Sequence, residues 1–373
     1  MNCLSRKRKN EQNDVKGTSL LPKKRCSLAL SLREPDRVPI ANYGLEFAAI
    51  DAGFKIGEVA VSSQKIVQST IQFLTKYEFD QQLNLSIDPF NIEAEGMGSK
   101  VKFPENSMPV ITDYAVKDYK DINSLQVPDP QKAARMPVIL GAHELFLENY
   151  GDKYSVAGLF TSPFSLAIAL RGYTNLIKDM KTKPDYVHKL LEVATETVLE
   201  YGKAFKDIEL PAATILEQFA SPPNLSTKQY DEFVLPYVSR VIQGLKPMNI
   251  TLGGVWGYSF LQNSWKDLLR KIIASGSAST MFLDPDGEYI DIKEFKMISK
   301  FHGRATFSGI SANLIRDGPI KLLRQRISKH CKNCAPGGGY AIFALYLPPG
   351  TPPENVSAFA SFVKEFGTYP LST

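Results

Sequence analysis

Eight short apolar runs, each closed by a glycine, proline or polar cluster and each set between helix-like stretches, constrain this chain more than any other feature. They cover residues 38–43, 82–87, 155–160, 213–216, 248–252, 279–283, 305–307 and 340–345. They are apolar without a clean alternation, as strands buried on both faces are in parallel sheets. Helical spacing fills the gaps. Ile66, Ile71, Phe73, Leu74 and Tyr77 mark a helix over 62–78. Residues 138–150 and 164–180 are read as two more. Pro184 suits a first helical turn, with Thr182 a candidate cap. Val187, Leu190, Leu191, Ala194, Val198 and Tyr201 then mark one helix face. Residues 230–245, 319–329 and 353–366 complete the pattern. Strand–helix alternation over about 330 residues predicts a (β/α)8 TIM barrel with an N-terminal extension. The rival, a doubly wound open sheet, lacks its G-x-G-x-x-G after the first strand.

With 373 residues, 43% of them hydrophobic, the chain can bury a large core. No apolar run of membrane-spanning length occurs and no apolar stretch follows the basic N-terminus, so neither a membrane nor a secretory signal is expected. Four cysteines are too few for a disulfide framework, which suits a reducing, cytoplasmic setting. The net charge of +5 owes much to Arg6-Lys7-Arg8-Lys9 and Lys23-Lys24-Arg25. The body carries no basic stripe, so no nucleic-acid partner is expected. Residues 1–26 are read as a flexible basic tail, with order beginning in a helix over 27–32, and residues 27–373 as a single barrel domain. The segments at 92–98 and 100–104 read as an excursion beyond the barrel rim.

An α/β barrel keeps its chemistry at the C-terminal ends of its strands. There the chain places Asp88, Glu217, Gln218, Asp284, Asp286 and Tyr346, with Gly253, Gly254 and Trp256 after the fifth run. Glu217, Gln218 and Tyr346 are the candidate catalytic residues, and the others are candidates to face the ligand. Two alternatives stay open. Asp284-Pro285-Asp286-Gly287 also suits an ordinary turn. The glycine pair either admits a flat ligand or merely ends a strand. His330-Cys331-Lys332-Asn333-Cys334 precedes the last strand, at the end of a barrel that reads as stability. No Walker loop, H-E-x-x-H or G-x-S-x-G is present.

Five segments carry a resemblance: Arg33-Glu-Pro-Asp-Arg-Val-Pro39, Gly158-Leu-Phe-Thr-Ser-Pro-Phe-Ser-Leu-Ala167, Glu232-Phe-Val-Leu-Pro-Tyr237, Gly337-Gly-Gly-Tyr340 and Pro352-Pro-Glu-Asn-Val356. In this order they resemble the uroporphyrinogen decarboxylase superfamily, which includes porphyrinogen decarboxylases and cobalamin-dependent methyltransferases. The resemblance implies a TIM barrel. Decarboxylases carry Arg-Gln-Ala-Gly-Arg after the first strand to hold substrate carboxylates. Here Asn42-Tyr-Gly-Leu-Glu-Phe47 stands there without an arginine, so the methyltransferase branch is the better match. That branch implies zinc, held by His-x-Cys and a later Cys, but Leu252, Gly254 and roughly Tyr346 occupy those positions. Ether-demethylating members use two glutamates fifteen residues apart and a histidine. Glu217 and Glu232 keep that spacing, while Gly253 replaces the histidine. Two carboxylates alone make a weak, labile zinc site.

The expected activity is that of a corrinoid-dependent methyltransferase component. It would move a methyl group between a small methylated substrate and a corrinoid, a cobalamin carried on a separate corrinoid protein. Without zinc, Glu217 could serve as a general base or pair with a cationic substrate. A positively charged methyl donor needs no Lewis acid, because its leaving group departs neutral. The alternatives are a uroporphyrinogen-type decarboxylase and a non-catalytic ligand-binding barrel.

Overall fold

The computed structural model describes residues 19–371, except Pro223 and Pro285. The first basic cluster, Arg6 to Lys9, lies outside the described residues. Eight strand positions circle one axis in chain order: β1 Ile40–Asn42, β2 Gln81–Gln82, β3 in two pieces Ser155–Val156 and Gly158–Thr161, β4 Ala212–Leu216, β5 Asn249–Gly253, β6 Ser279–Leu283, β7 Ala305–Ile310 and β8 Tyr340–Ala344. All their ladders are parallel, and β1 closes on β8 with Ala41 opposite Phe343. The fold is the expected (β/α)8 barrel.

Two junctions are irregular. At Ala157, β3 changes neighbours: its first piece pairs with β2 and its second with β4. Between β5 and β6, hydroxyl groups take over from the ladder. Ala278 N donates to Ile250 O at 2.7 Å, Ser277 Oγ accepts from Leu252 N at 2.9 Å, and the Thr251 and Ser279 hydroxyls lie 2.6 Å apart. Buried backbone groups that lack a strand partner must find a side chain.

Side chains alternate across each strand, and this divides the apolar interior in two. Ala41, Leu83, Leu159, Leu216, Met281, Phe307 and Phe343 fill the barrel. A larger cluster, including Ile40, Phe160, Ile215, Ile250, Phe282 and Ile342, packs outward against the helices.

The helices depart from expectation where backbone chemistry breaks them. Residues 164–180 form two helices, Pro163–Arg171 and Tyr173–Thr182, separated by Gly172 at φ +84°. Residues 230–245 split into Thr227–Phe233 and Leu235–Gly244, because Pro236 suits only a first turn. Pro184 does begin Pro184–Asp207, but Lys183 is its cap, and Thr182 Oγ1 turns back to Lys178 O.

The first described helix also starts earlier than expected. A helix runs Pro22–Leu30, so Lys23 to Arg25 are not tail. Arg25 is 3% exposed and bonds both Asp36 and Asp80, and Arg37 reaches Asp80 as well. The excursion is a short helix, Ile92–Gly96, followed by an antiparallel hairpin of Lys100–Lys102 and Val110–Asp113. The run at 82–87 is strand only at its start. Beyond it, Asn42 Nδ2 donates to Gln82 Oε1, Gln82 Nε2 to Asn84 O, and Asn84 Nδ2 to Ser86 O, so side-chain amides hold the loop where no ladder does. Among the described residues no helix is long and apolar enough to cross a membrane.

Candidate active site at the barrel mouth

The C-terminal strand ends enclose a cavity of about 380 Å³. Gln218, Gly254, Trp256, Asp284 and Tyr346, all expected here from sequence, line it together with Tyr43, Phe90, Ser311 and Asn313. Leu216, Met281, Leu283, Ala312 and Leu345 complete the lining, and Met281 also borders a second cavity, of about 470 Å³, toward the other end of the barrel.

One wall is aromatic. Tyr43 and Tyr346 meet edge to face with centroids 5.0 Å apart, and Phe90 stacks on Tyr346 at 6.0 Å. Among the described residues the Tyr43 and Tyr346 hydroxyls are buried without partners, as is Glu46 Oε2. Burial raises Tyr43 and Tyr346 above the usual phenol range, and pushes Glu46 up to about 7, with Asp88 adding in the same direction. Trp256 stands on the opposite side, after β5, and is 37% exposed. Gly254 beside it has φ +80°, and a Cβ there would lie 2.5 Å from Leu216 Cδ1. The glycine therefore both turns the chain and keeps the cavity open.

Gly253 lies behind the lining, where a Cβ would meet Met281 Sδ at 2.5 Å and Thr214 Cγ2 at 2.7 Å. Of the two readings of the glycine pair, Gly253 answers to packing and Gly254 to the cavity.

Asp284 is held by Arg326 Nη1 at 2.5 Å and by Ser311 N at 3.3 Å, while Arg326 Nη2 reaches Glu288 at 2.8 Å. Burial raises Asp284 against the pull of that arginine. Asp286 faces away from the cavity. It accepts from Gly257 N at 2.8 Å and from Ser259 N and Oγ, fixing the loop after β5. Asp88 is fully buried, paired with Arg135 Nη2 at 2.9 Å and bonded to Asn91. Neither is among the lining residues.

Glu217 is also absent from the lining. Its carboxylate takes bonds from Ser162 Oγ, from Ser165 Oγ at 2.7 Å and from Ala220 N at 3.0 Å, and it is 0% exposed. Burial raises it, and those donors oppose the rise. It ties the tip of β4 to the N-terminus of Pro163–Arg171, a favourable end for negative charge. Glu232 sits on a helix, 43% exposed, with Oε1 3.8 Å from His188 Nε2. The oxygens of Glu217 are thus already taken, and among the described residues no three His, Cys, Asp or Glu side chains are placed to hold a metal. These residues do not fit the zinc set that the resemblance implies.

Sequence reasoning missed Tyr43, Glu46, Phe90 and Arg326. The first two lie in the segment 42–47, and their position just after β1 was the available signal. Arg326 reaches Asp284 from the helix Ile320–Cys334 and carried no local signal. His330, at the far end of that helix, is 1% exposed, bonded to Ser308 Oγ at 2.6 Å and driven down to about 3 by burial. It is a neutral core histidine.

The profile described as Uroporphyrinogen decarboxylase (URO-D) matches residues 21–366. The methylated-thiol–coenzyme M methyltransferase of Methanosarcina mazei is 30% identical over 147 residues, 39% of this chain and 39% of the relative. A methylcobamide:CoM methyltransferase of the same organism is 27% identical over 168 residues, 43% of this chain and 48% of the relative. The chain thus spans less than half the length of these two curated relatives. A solved methyltransferase structure from Methanosarcina mazei superposes with a TM-score of 0.80 at 19% identity, covering 93% of this chain and 99% of that one. It bears on the fold alone.

Proposed function

The chain belongs to the uroporphyrinogen decarboxylase family, and from that premise we propose that it is a methyltransferase component that moves a methyl group between a small methylated substrate and a corrinoid carried by a partner protein. The observation that carries this reading is the lining of the mouth cavity. It is small and largely aromatic and aliphatic, and contains no Lys, Arg or His among the described residues. A porphyrinogen bears many carboxylates and needs several cations to bind them. Arg326, which reaches the lining residue Asp284, is committed to Asp284 and Glu288. The names of the two relatives, both methyltransferases, point the same way.

In this reading the aromatic wall and Trp256 hold the substrate out of water. Gln218, Ser311 and Asn313 offer the few hydrogen bonds that orient it. A cavity of about 380 Å³ suits a small molecule and not a corrin macrocycle, so the corrinoid stays on the partner and meets the substrate at the open side. When present, the corrinoid supplies a cobalt centre that accepts or releases a methyl group.

The test is methyl transfer between free cobalamin, reduced to the cobalt(I) state, and a panel of methylated thiols, amines and ethers, followed by the visible spectrum. Methylation with at least one donor is expected. Release of carbon dioxide from uroporphyrinogen, with no methylation by any donor, would overturn the reading.

A further inference from the structure

Three features of the mouth favour one kind of substrate. The first is shape. Tyr43 follows β1 and Trp256 follows β5, which lie on opposite sides of an eight-stranded barrel, so aromatic side chains line the cavity from both sides. The second is charge. Arg326 is shared by Asp284 and Glu288, and Arg135 by Asp88 and Glu95. Within these two clusters two cations stand against four carboxylates before Glu46 is counted, and of the six only Asp284 lines the cavity. The third is an unmet need. Glu46 is 6% exposed with Oε2 unpartnered, and the hydroxyls of Tyr43 and Tyr346 are likewise orphaned. Buried polar atoms without partners ask for an explanation. The two hydroxyls belong to lining residues and can turn negative density toward a cation, with Glu46 outside the lining.

We infer that the mouth cavity binds a methylated onium cation, a quaternary ammonium or a tertiary sulfonium, between the Tyr43–Tyr346–Phe90 wall and Trp256. Ring faces attract such cations, and desolvation strengthens the attraction. The inference rests on the methyltransferase reading for its chemistry, though not for binding. In transfer, the bond from methyl carbon to nitrogen or sulfur breaks. Its electron pair stays on the heteroatom, which leaves as a neutral amine or thioether. The pair for the new bond comes from the reduced cobalt of the partner's corrinoid. No proton moves and no Lewis acid is required, which accords with a mouth where, among the described residues, no zinc ligand set is assembled.

The test is calorimetric binding to the full chain of choline and of 3,3-dimethylbutan-1-ol, which replaces the charged nitrogen by carbon at the same shape, with anisole and a small thiol sulfonate alongside. Choline is expected to bind at least tenfold more tightly than its neutral isostere. Trp256→Leu, at a half-exposed rim position, should weaken choline roughly tenfold. Tyr346→Phe, which keeps the ring, should weaken it far less than Tyr346→Leu. Equal binding of choline and its isostere, or preference for anisole or the sulfonate, would overturn the inference. The cobalamin assay separates the two claims. Choline selectivity without transfer from any donor sinks the methyltransferase reading and leaves the cation site. Transfer from a neutral donor without choline selectivity does the reverse.

Discussion

Replacing Glu46 by glutamine should change how the stability of this protein depends on pH. The Glu46 carboxyl is 6% exposed, one oxygen is unpartnered, and burial moves it from 4.5 to about 7. Between those two values the folded protein holds a proton that the unfolded chain has already released. Stability therefore falls as pH rises through this window, because the native state binds more protons. Each pH unit is worth about 1.4 kcal/mol, so the folded state loses about 3 kcal/mol from this group between pH 4.5 and pH 7 and stays at that level above. Glu46→Gln keeps the shape and removes the titration. Urea unfolding of both proteins from pH 5 to pH 8 should show the variant gaining on the wild type by about 2.5 kcal/mol over the range. Glu93, also raised to about 7 by burial, is present in both proteins and cancels. A stability difference that stays constant with pH, or a variant that loses ground as pH rises, would refute the reasoning.

Glu217→Ala strands the Ser162 and Ser165 hydroxyls and the Ala220 amide, and should cost about 3 kcal/mol or more in urea unfolding. Chelator should leave the melting temperature unchanged, because those donors already occupy the Glu217 carboxylate. One zinc per chain that is lost on Glu217→Ala would contradict this. Arg326→Met leaves Asp284 buried without its cation, so the variant should be destabilised by about 3 kcal/mol at pH 8 and by less as the pH falls, because burial already raises Asp284 and loss of the arginine raises it further. Gly254→Ala puts an L side chain at φ +80° and a Cβ against Leu216, and should cost at least about 1 kcal/mol while lowering choline affinity.

The sequence by itself determined the architecture. Eight apolar runs at the spacing of strand and helix admit few folds, because runs buried on both faces need helices to cover them. The same logic put Gln218, Gly254, Trp256, Asp284 and Tyr346 at the mouth, since a residue just past a barrel strand has one end of the barrel to occupy. What local pattern could not decide is which way a side chain turns once it is there. Glu217, Asp88 and Asp286 all follow strands, yet each is drawn into a bond from another part of the chain: the hydroxyls of Ser162 and Ser165, the guanidinium of Arg135, the amides of Gly257 and Ser259. Glu217 and Glu232 keep a ligand-like spacing, but one is enclosed and the other lies toward solvent beside His188.

The second basic cluster shows the same limit. Lys23-Lys24-Arg25 reads as a solvated tail until Asp36 and Asp80 come within reach of Arg25. The burial of Glu46 and the pairing of Arg326 with Asp284 depend on contacts between residues far apart in the chain. A buried charge keeps or loses its proton according to those neighbours, and only the tertiary structure chose them.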